Sequence, residues 1–368
     1  MYFIFALIIY FAYKQYSGKN NGHYGFIKFV SIFFIATSAL RHMFCSVDTW
    51  GYIRNLQNSF NKSWTEIFDY FWINYFQPGI YGKDPGYYVF EKALGSITSE
   101  PQIFFLILAL LVFLPIYHIW RNYSASTFQT LVSALFYLTF FYAYVPNSAA
   151  RQAIAIGFVL MAYLAYERKT KKGYILSALL VFVASLFHQS ALIVLSIPIA
   201  CFVFKKPKLL IYGSIVAFVT MLFVYQMVGE FLGAYNEVYD RYNEVGYYAS
   251  VGRKPYLSII FYALFFFIVL LNYRYETEYE RYKILYVGGA LSFVLMPILW
   301  LDPSAVRLVS YFGIWFSLLV PHSIDIAPAK HRTTYVMIVL AALFLRLLIS
   351  QSNYAFFWQD IPMPSVYL

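Results

Sequence analysis

The chain has 368 residues, of which 61% are hydrophobic, 22% aromatic and only 12% charged. Soluble domains carry about 25% charged residues, so a water-soluble globular protein is excluded, and repeated apolar runs of roughly 17–22 residues mark a polytopic helical membrane protein. The formal net charge of +10 suggests nucleic acid, but its distribution along the chain follows the membrane instead.

The runs are too long and continuous for barrel strands, which leaves helices as the way to satisfy the backbone in lipid. Twelve spans are predicted, near 1–13, 24–40, 102–120, 127–145, 150–166, 174–187, 190–204, 208–228, 256–273, 282–301, 305–322 and 333–350. The fold class is all-α, a polytopic integral membrane protein of about twelve transmembrane helices. Residues 1–368 form a single transmembrane domain with no linker, low-complexity stretch or internal repeat. The missing repeat disfavours transporters built from inverted halves.

The first span, "MYFIFALIIYFAY", covers 13 residues, about 20 Å of helix against a hydrocarbon core of about 30 Å. It has no basic leader or small-residue cleavage site and makes a poor signal peptide. The odd-numbered loops, including "ERKTKKGY" and "KKPK", hold 16 of the Lys and Arg residues, the other side 10, with Arg346 inside the last span. The positive-inside rule makes the first set cytoplasmic, so both termini face outward and the basic excess is a topology signal. Cys45 and Cys201 then lie on opposite sides of the membrane and cannot pair.

Two larger extracytoplasmic loops stand out. The loop 41–101 is rich in aromatics, with Trp50, Tyr52, Phe60, Trp64, Phe68, Phe71, Trp72 and Tyr75, which suits interfacial helices. Two readings fit it: a membrane-hugging cover, or the wall of a groove for a lipid-linked glycan. The loop 229–255 is polar, tyrosine-rich and lid-like. The stretch 173–204 is too long for one span and has basic clusters at both ends, so it is read as a hairpin with its tip at "FHQSA", within the outer leaflet.

Ionisable residues at the membrane edge are functional candidates. Arg151 follows "PNSAA", in the first turn of the fifth span, where Asn147 or Ser148 is placed to cap the helix. Free N–H groups, the positive helix end and a planar guanidinium together suit a phosphate; the plainer reading is an interfacial arginine that snorkels. Gln152 adjoins it. His188 at the hairpin tip, followed by Gln189, is either a satisfied histidine or a general base, orienter or phosphate donor. Arg307 follows "DPSAV", a turn and cap that repeats the Arg151 pattern, with Asp302 as a partner; Arg41 ends the second span. Several arginines facing one site imply a multivalent anion between them, and separate solvated helix ends are the alternative. Asp48 and Asp84 supply carboxylates, either to take a proton from a sugar hydroxyl or to pair an arginine. All of these fall on the outer side, where nucleotide sugars are scarce, so the energy for group transfer comes with the substrate. No dinucleotide, Walker, HExxH or GxSxG motif is present.

These residues carry a resemblance to the EpsG family of polysaccharide polymerases, which belongs with the Wzy-type polymerases of O-antigen, capsule and exopolysaccharide assembly. "RHMFCSVDTWGYIRNLQ" resembles the family's early Arg, Asp and Tyr (Arg41, Asp48, Tyr52), with Ser46 where the family tends to have Gly. "DPGYYVFEKALGSI" resembles its acidic-x-Gly-Tyr segment, with Asp84 where Glu is common and Tyr87 as the tyrosine. "SAARQAIAIGFVLMAY" and "ASLFHQSALIVL" resemble the Arg-Gln and His-x-Ser-Ala motifs, the most specific pair, and "AVRLVSYFGIW" the late arginine helix.

The resemblance implies transfer of a growing glycan from undecaprenyl diphosphate to the non-reducing end of an incoming lipid-linked repeat unit. The expected setting is the outer face of a bacterial cytoplasmic (inner) membrane. His188, Asp48, Arg151 and Arg307 are then the catalytic candidates, and Arg41, Tyr52, Asp84, Tyr87, Gln152 and Gln189 the substrate-binding ones. No metal or cofactor is expected. Implied partners are the undecaprenyl-diphosphate-linked oligosaccharide, membrane lipid, and a chain-length regulator and flippase of the same pathway, with no nucleic acid. An O-antigen ligase differs only in its acceptor. A flippase or other transporter needs charges through the bilayer midplane, which are nearly absent here.

Overall fold

A computed structural model describes residues 1–77, 84–143, 149–235, 256–300, 306–349 and 354–362. Among the described residues the regular structure is helical, and β pairing is limited to an isolated antiparallel bridge between Arg41 and Phe356. Among the described residues, helical segments lie within each of the stretches expected to span. They are α1 (Tyr2–Tyr16), α2 (Gly22–Ala39), α6 (Pro101–Tyr123), α7 (Thr127–Phe140), α8 (Ala150–Tyr166), α9 (Lys171–Phe187), α10 (Ser196–Val203) and α11 (Pro207–Tyr235). The later ones are α12 (Tyr256–Asn272), α13 (Tyr279–Val294), α14 (Val306–Ser310), α15 (Gly313–Asp325) and α16 (Ala329–Ile349). Between α2 and α6 run α3 (Val47–Ser59), α4 (Trp64–Phe76) and α5 (Pro85–Gly95).

Five stretches are long and apolar enough to cross a membrane: Pro101–Tyr123, Pro207–Tyr225, Tyr256–Tyr275, Tyr279–Leu299 and Ala329–Ile349. The others are shorter or more polar, and several are interrupted. The expected span 282–301 gives way to a 3₁₀ turn at Met296–Trp300, where Pro297 has no N–H to continue the ladder. The expected span 305–322 is split, with α14 ending at Ser310 and α15 starting at Gly313. Of the expected lid, residues 229–235 extend α11, and 236–255 lie outside the described residues.

The chain divides into two compact units, residues 1–192 with 345–368, and residues 193–344. In the first, α2 packs on α6 and α7, α6 on α8, α8 on α9, and α5 on α3, α4 and α9. The α6–α8 approach is close because Gly157 faces the main chain of Leu111, where a Cβ would come within 2.4 Å of the Leu111 carbonyl oxygen. One apolar cluster joins Ile53 and Leu56 of α3, Tyr87 and Leu94 of α5, Phe104 and Leu108 of α6, and Ala150 and Ile154 of α8. The aromatic loop is therefore part of the core through α5. On α4 the large rings Trp64, Phe68, Trp72 and Phe76 recur every fourth residue and are exposed, whereas Ile67 and Asn74 are buried.

In the second unit α13 packs on α10, α11 and α15, and α12 packs on α15. Phe293 is stacked between Phe218 and Phe266, with centroids 4.2 and 4.1 Å away.

Candidate functional site

Three chain segments of the first unit converge: the start of α5, the start of α8 and the end of α9. Asp84 is the N-cap of α5, with φ 64 and ψ 61, and Pro85 opens the helix. A left-handed backbone is uncommon outside glycine and is tolerated best by Asp and Asn; Pro85 fits the first helical position, where no N–H is needed. Gly86 then lies against α9, where a Cβ would sit 2.9 Å from Leu186 Cβ and 3.2 Å from its carbonyl oxygen. A glycine is required for this close approach, which brings the end of α9 to the start of α5.

Arg151 occupies the second position of α8. The N-cap is Ala149, which has no side-chain oxygen to offer; the expected caps Asn147 and Ser148 lie outside the described residues. Arg151 Nη1 donates to Asp84 Oδ2 at 3.4 Å, with 22% of the arginine side chain and 2% of the aspartate side chain exposed. Its guanidinium carbon lies 5.0 Å from the ring centroid of Tyr87, 5.9 Å from Tyr88 and 6.0 Å from Tyr52. Rings facing a cation at these distances stabilise it and exclude water around it. Arg151 Nε is buried without a hydrogen-bond partner among the described residues.

Asp84, Tyr87, Tyr88 and Glu91 stand at i, i+3, i+4 and i+7 on α5, one stripe of the helix. The last member was not anticipated. Glu91 is 4% exposed, and its Oε1, like the Tyr87 hydroxyl, has no hydrogen-bond partner among the described residues. Tyr87 comes near enough to influence the carboxyl without the geometry of a hydrogen bond. Burial pushes the Glu91 carboxyl up to about 7, against the opposing influence of Arg151, Tyr87 and Lys62. Its only sequence signal is an acid within the largely apolar "YYVFEKALG" at the helical spacing from Asp84.

His188 ends α9 as its C-cap in extended backbone, so the helix breaks where the sequence placed a tip. Its Nδ1 is 2.8 Å from Ser190 Oγ. Gln189 is exposed, Gln152 buried and Tyr52 half-buried. Asp48 is exposed in the first turn of α3. Ser46, where the family tends to have Gly, has φ −148 and ψ 145, an extended backbone that any residue adopts. Arg41 is 1% exposed, donates through Nη1 to the Ser38 carbonyl at 2.7 Å and stacks 3.8 Å from the centroid of Phe105. The segment after residue 353 covers it, through His42 N–H to the Ala355 carbonyl and Phe357 N–H to the Leu40 carbonyl. Arg307 belongs to the second unit, in α14, and its expected partner Asp302 lies outside the described residues. Among the described residues no three His, Cys, Asp or Glu side chains form a group able to hold a metal ion.

The model of the EpsG family matches residues 24–361. The chain belongs to the EpsG family. No curated protein and no solved structure matches it. Membership, with the apolar helices, makes this a multi-pass membrane protein with an oligosaccharide polymerase-type function, and the EpsG family implies a lipid-linked oligosaccharide as substrate. The motifs that define the resemblance, Asp84-Pro-Gly-Tyr, Arg151-Gln and Phe-His188, are the three segments that meet in this EpsG chain.

Proposed function

We propose that the chain is a metal-independent polysaccharide polymerase acting at the outer face of the bacterial cytoplasmic membrane. It transfers a growing glycan from undecaprenyl diphosphate to the non-reducing end of an incoming lipid-linked repeat unit. The observation that carries this reading is Arg151, held by a buried carboxylate and three tyrosine rings in the first turn of α8. Charge develops on the departing diphosphate, and preorganised donors at that point lower the barrier. Arg151 supplies a planar fork and the helix start supplies N–H groups, with Arg307 as the further cation read from the sequence; Arg41, enclosed against Phe105, is left to the fold. Tyr52, Tyr87, Gln152 and Gln189 offer rings and amides to the sugar. The acceptor hydroxyl needs a proton acceptor, for which His188 and Asp48 are the candidates read from the sequence.

The test is polymerisation of purified lipid-linked repeat units with EDTA present. Product ladders are expected from the native chain and none from Arg151→Ala or Arg307→Ala. Ladders that vanish on adding EDTA would sink the metal-free reading, and full activity in Arg151→Lys would rule out bidentate diphosphate recognition. Transfer to lipid A in place of chain growth on the lipid carrier would make the protein a ligase.

A further inference from the structure

We propose that Glu91 takes the proton from the attacking hydroxyl of the acceptor sugar, an inference that rests on the polymerase reading above. Glu91 closes the α5 stripe that begins with Asp84 and contains the two tyrosines flanking Arg151. Buried polar atoms without partners are rare in folded proteins and call for an explanation. Here three cluster on this stripe and its cation: Glu91 Oε1, Tyr87 Oη and Arg151 Nε. An acceptor, a hydroxyl and an N–H left open together match a ligand that brings hydroxyl groups and an anionic oxygen, as a sugar beside a diphosphate does.

The other carboxylates near the site are less suited. Asp84 is already engaged by Arg151, and Asp48 is exposed. His188 has Nδ1 against Ser190 Oγ. Glu91 is also held firmly: its carbonyl accepts from Ser59 Oγ at 3.0 Å, and Gly95 one turn later packs on Ser59 and the Leu56 carbonyl. The groups that act on it are Arg151 from α8, Lys62 after α3, and Tyr87 and Tyr88 of α5, and beyond those two rings lie Tyr52 of α3 against Tyr87, and Tyr70 of α4 and Asp84 beside Tyr88. His188 lies at the end of α9 that packs on α5. Burial in this setting keeps the carboxyl near neutrality, where a general base is most effective.

In the step, the acceptor oxygen bonds to the anomeric carbon of the donor glycan. The bond from that carbon to undecaprenyl diphosphate breaks, and its electron pair stays on the phosphate oxygen beside Arg151. The hydroxyl proton moves to the Glu91 carboxylate and later leaves to water.

The experiment measures polymer formation by the purified full-length chain from lipid-linked repeat units, between about pH 5.5 and about pH 9, with substrate binding measured separately. The native protein is expected to lose kcat/KM below about pH 7 with an acid limb of one proton. Glu91→Gln is expected to lower kcat about 10²–10⁴-fold and to abolish that limb, while substrate binding stays within about threefold of native. Glu91→Asp should retain partial activity with a displaced limb, and it decides the matter if Glu91→Gln does not fold. Native rate and an intact limb in either Glu91 variant would overturn the assignment. So would loss of the limb in His188→Gln or Asp48→Asn with Glu91 present. If the native chain forms no polymer from these substrates, the polymerase reading itself fails, an outcome distinct from polymer made equally well without Glu91.

Discussion

Glu91 in the first unit and Glu276 in the second are both buried glutamates with a basic side chain and tyrosines nearby, and their surroundings treat them in opposite ways. The Glu276 side chain is 2% exposed. Its Oε2 accepts from His322 Nε2 at 2.6 Å and from the Tyr286 hydroxyl at 3.1 Å, and its Oε1 accepts from the Glu278 N–H at 2.7 Å. The ring of Tyr282 covers His322 at 4.1 Å. Burial alone would raise this carboxyl, but the hydrogen bonds from His322 and Glu278 bring it below the ordinary value. Glu91 has an oxygen with no partner and is raised to about 7. A network with every oxygen satisfied ties the turn after α12 to α15 and serves the fold. A network left open costs stability and offers a place for a ligand.

The largest expected effect separates these roles by activity. Arg151→Ala should reduce polymer formation about 10³-fold or more, and pairing it with Asp84→Asn should restore any lost melting temperature without restoring activity. An Arg151→Ala/Asp84→Asn protein that polymerises would break the comparison at its first member. Next in size, His322→Ala removes one of the three donors to the Glu276 carboxylate and should destabilise the protein by up to about 3 kcal/mol, read from thermal or chemical melts. The pH limb assigned to Glu91 should not move in that variant.

The pH dependence of stability should differ in sign. Glu91 has a folded value raised from 4.5 to about 7, so the folded state binds more protons between those values. Its burial therefore costs stability progressively as pH rises through that window, up to roughly 3 kcal/mol above pH 7. Glu91→Gln removes this cost and should melt higher than native at about pH 8, with little difference at about pH 4. Glu276 is lowered from 4.5, so its contribution is present above that value and is lost as pH falls through the folded one. A native melt insensitive to Glu91→Gln across the window would erase the contrast. The smallest effect is expected from Gly86→Ala, about 1–3 kcal/mol of strain from the Leu186 contact, with reduced polymer yield because the end of α9 is displaced from α5.

What the sequence made legible is local. The helix starting near Arg151 and the break at His188 each follow from a few adjacent residues, and each is found in place, whereas Gly86 is required only by Leu186 of α9, a hundred residues away. Glu91 escaped notice because "EK" at the end of a short helix looks like an ordinary solvated pair; only the packing of α5 between α3, α4 and α9 buries it. Arg41 resembled another outward cation, and its enclosure depends on residues 355–357, more than three hundred positions along the chain. The aromatic loop was open to two readings, a cover or a groove wall, and neither singled out α5 as part of the core, because exposed rings on α4 and the buried Tyr87 on α5 have the same composition and differ only in their neighbours.

The ion pair between Asp84 and Arg151 also acts as a built-in competitor. Any anion that reaches the guanidinium must displace a carboxylate tethered beside it, whose effective concentration is on the order of millimolar or higher. Under the proposed function, free phosphate would be held off by that tether, whereas a diphosphate delivered with its lipid and glycan would bring additional binding energy to overcome it. On that reading the resting site would refuse the small anions that surround it. Asp84→Asn should expose this filter by making polymerisation sensitive to inorganic phosphate.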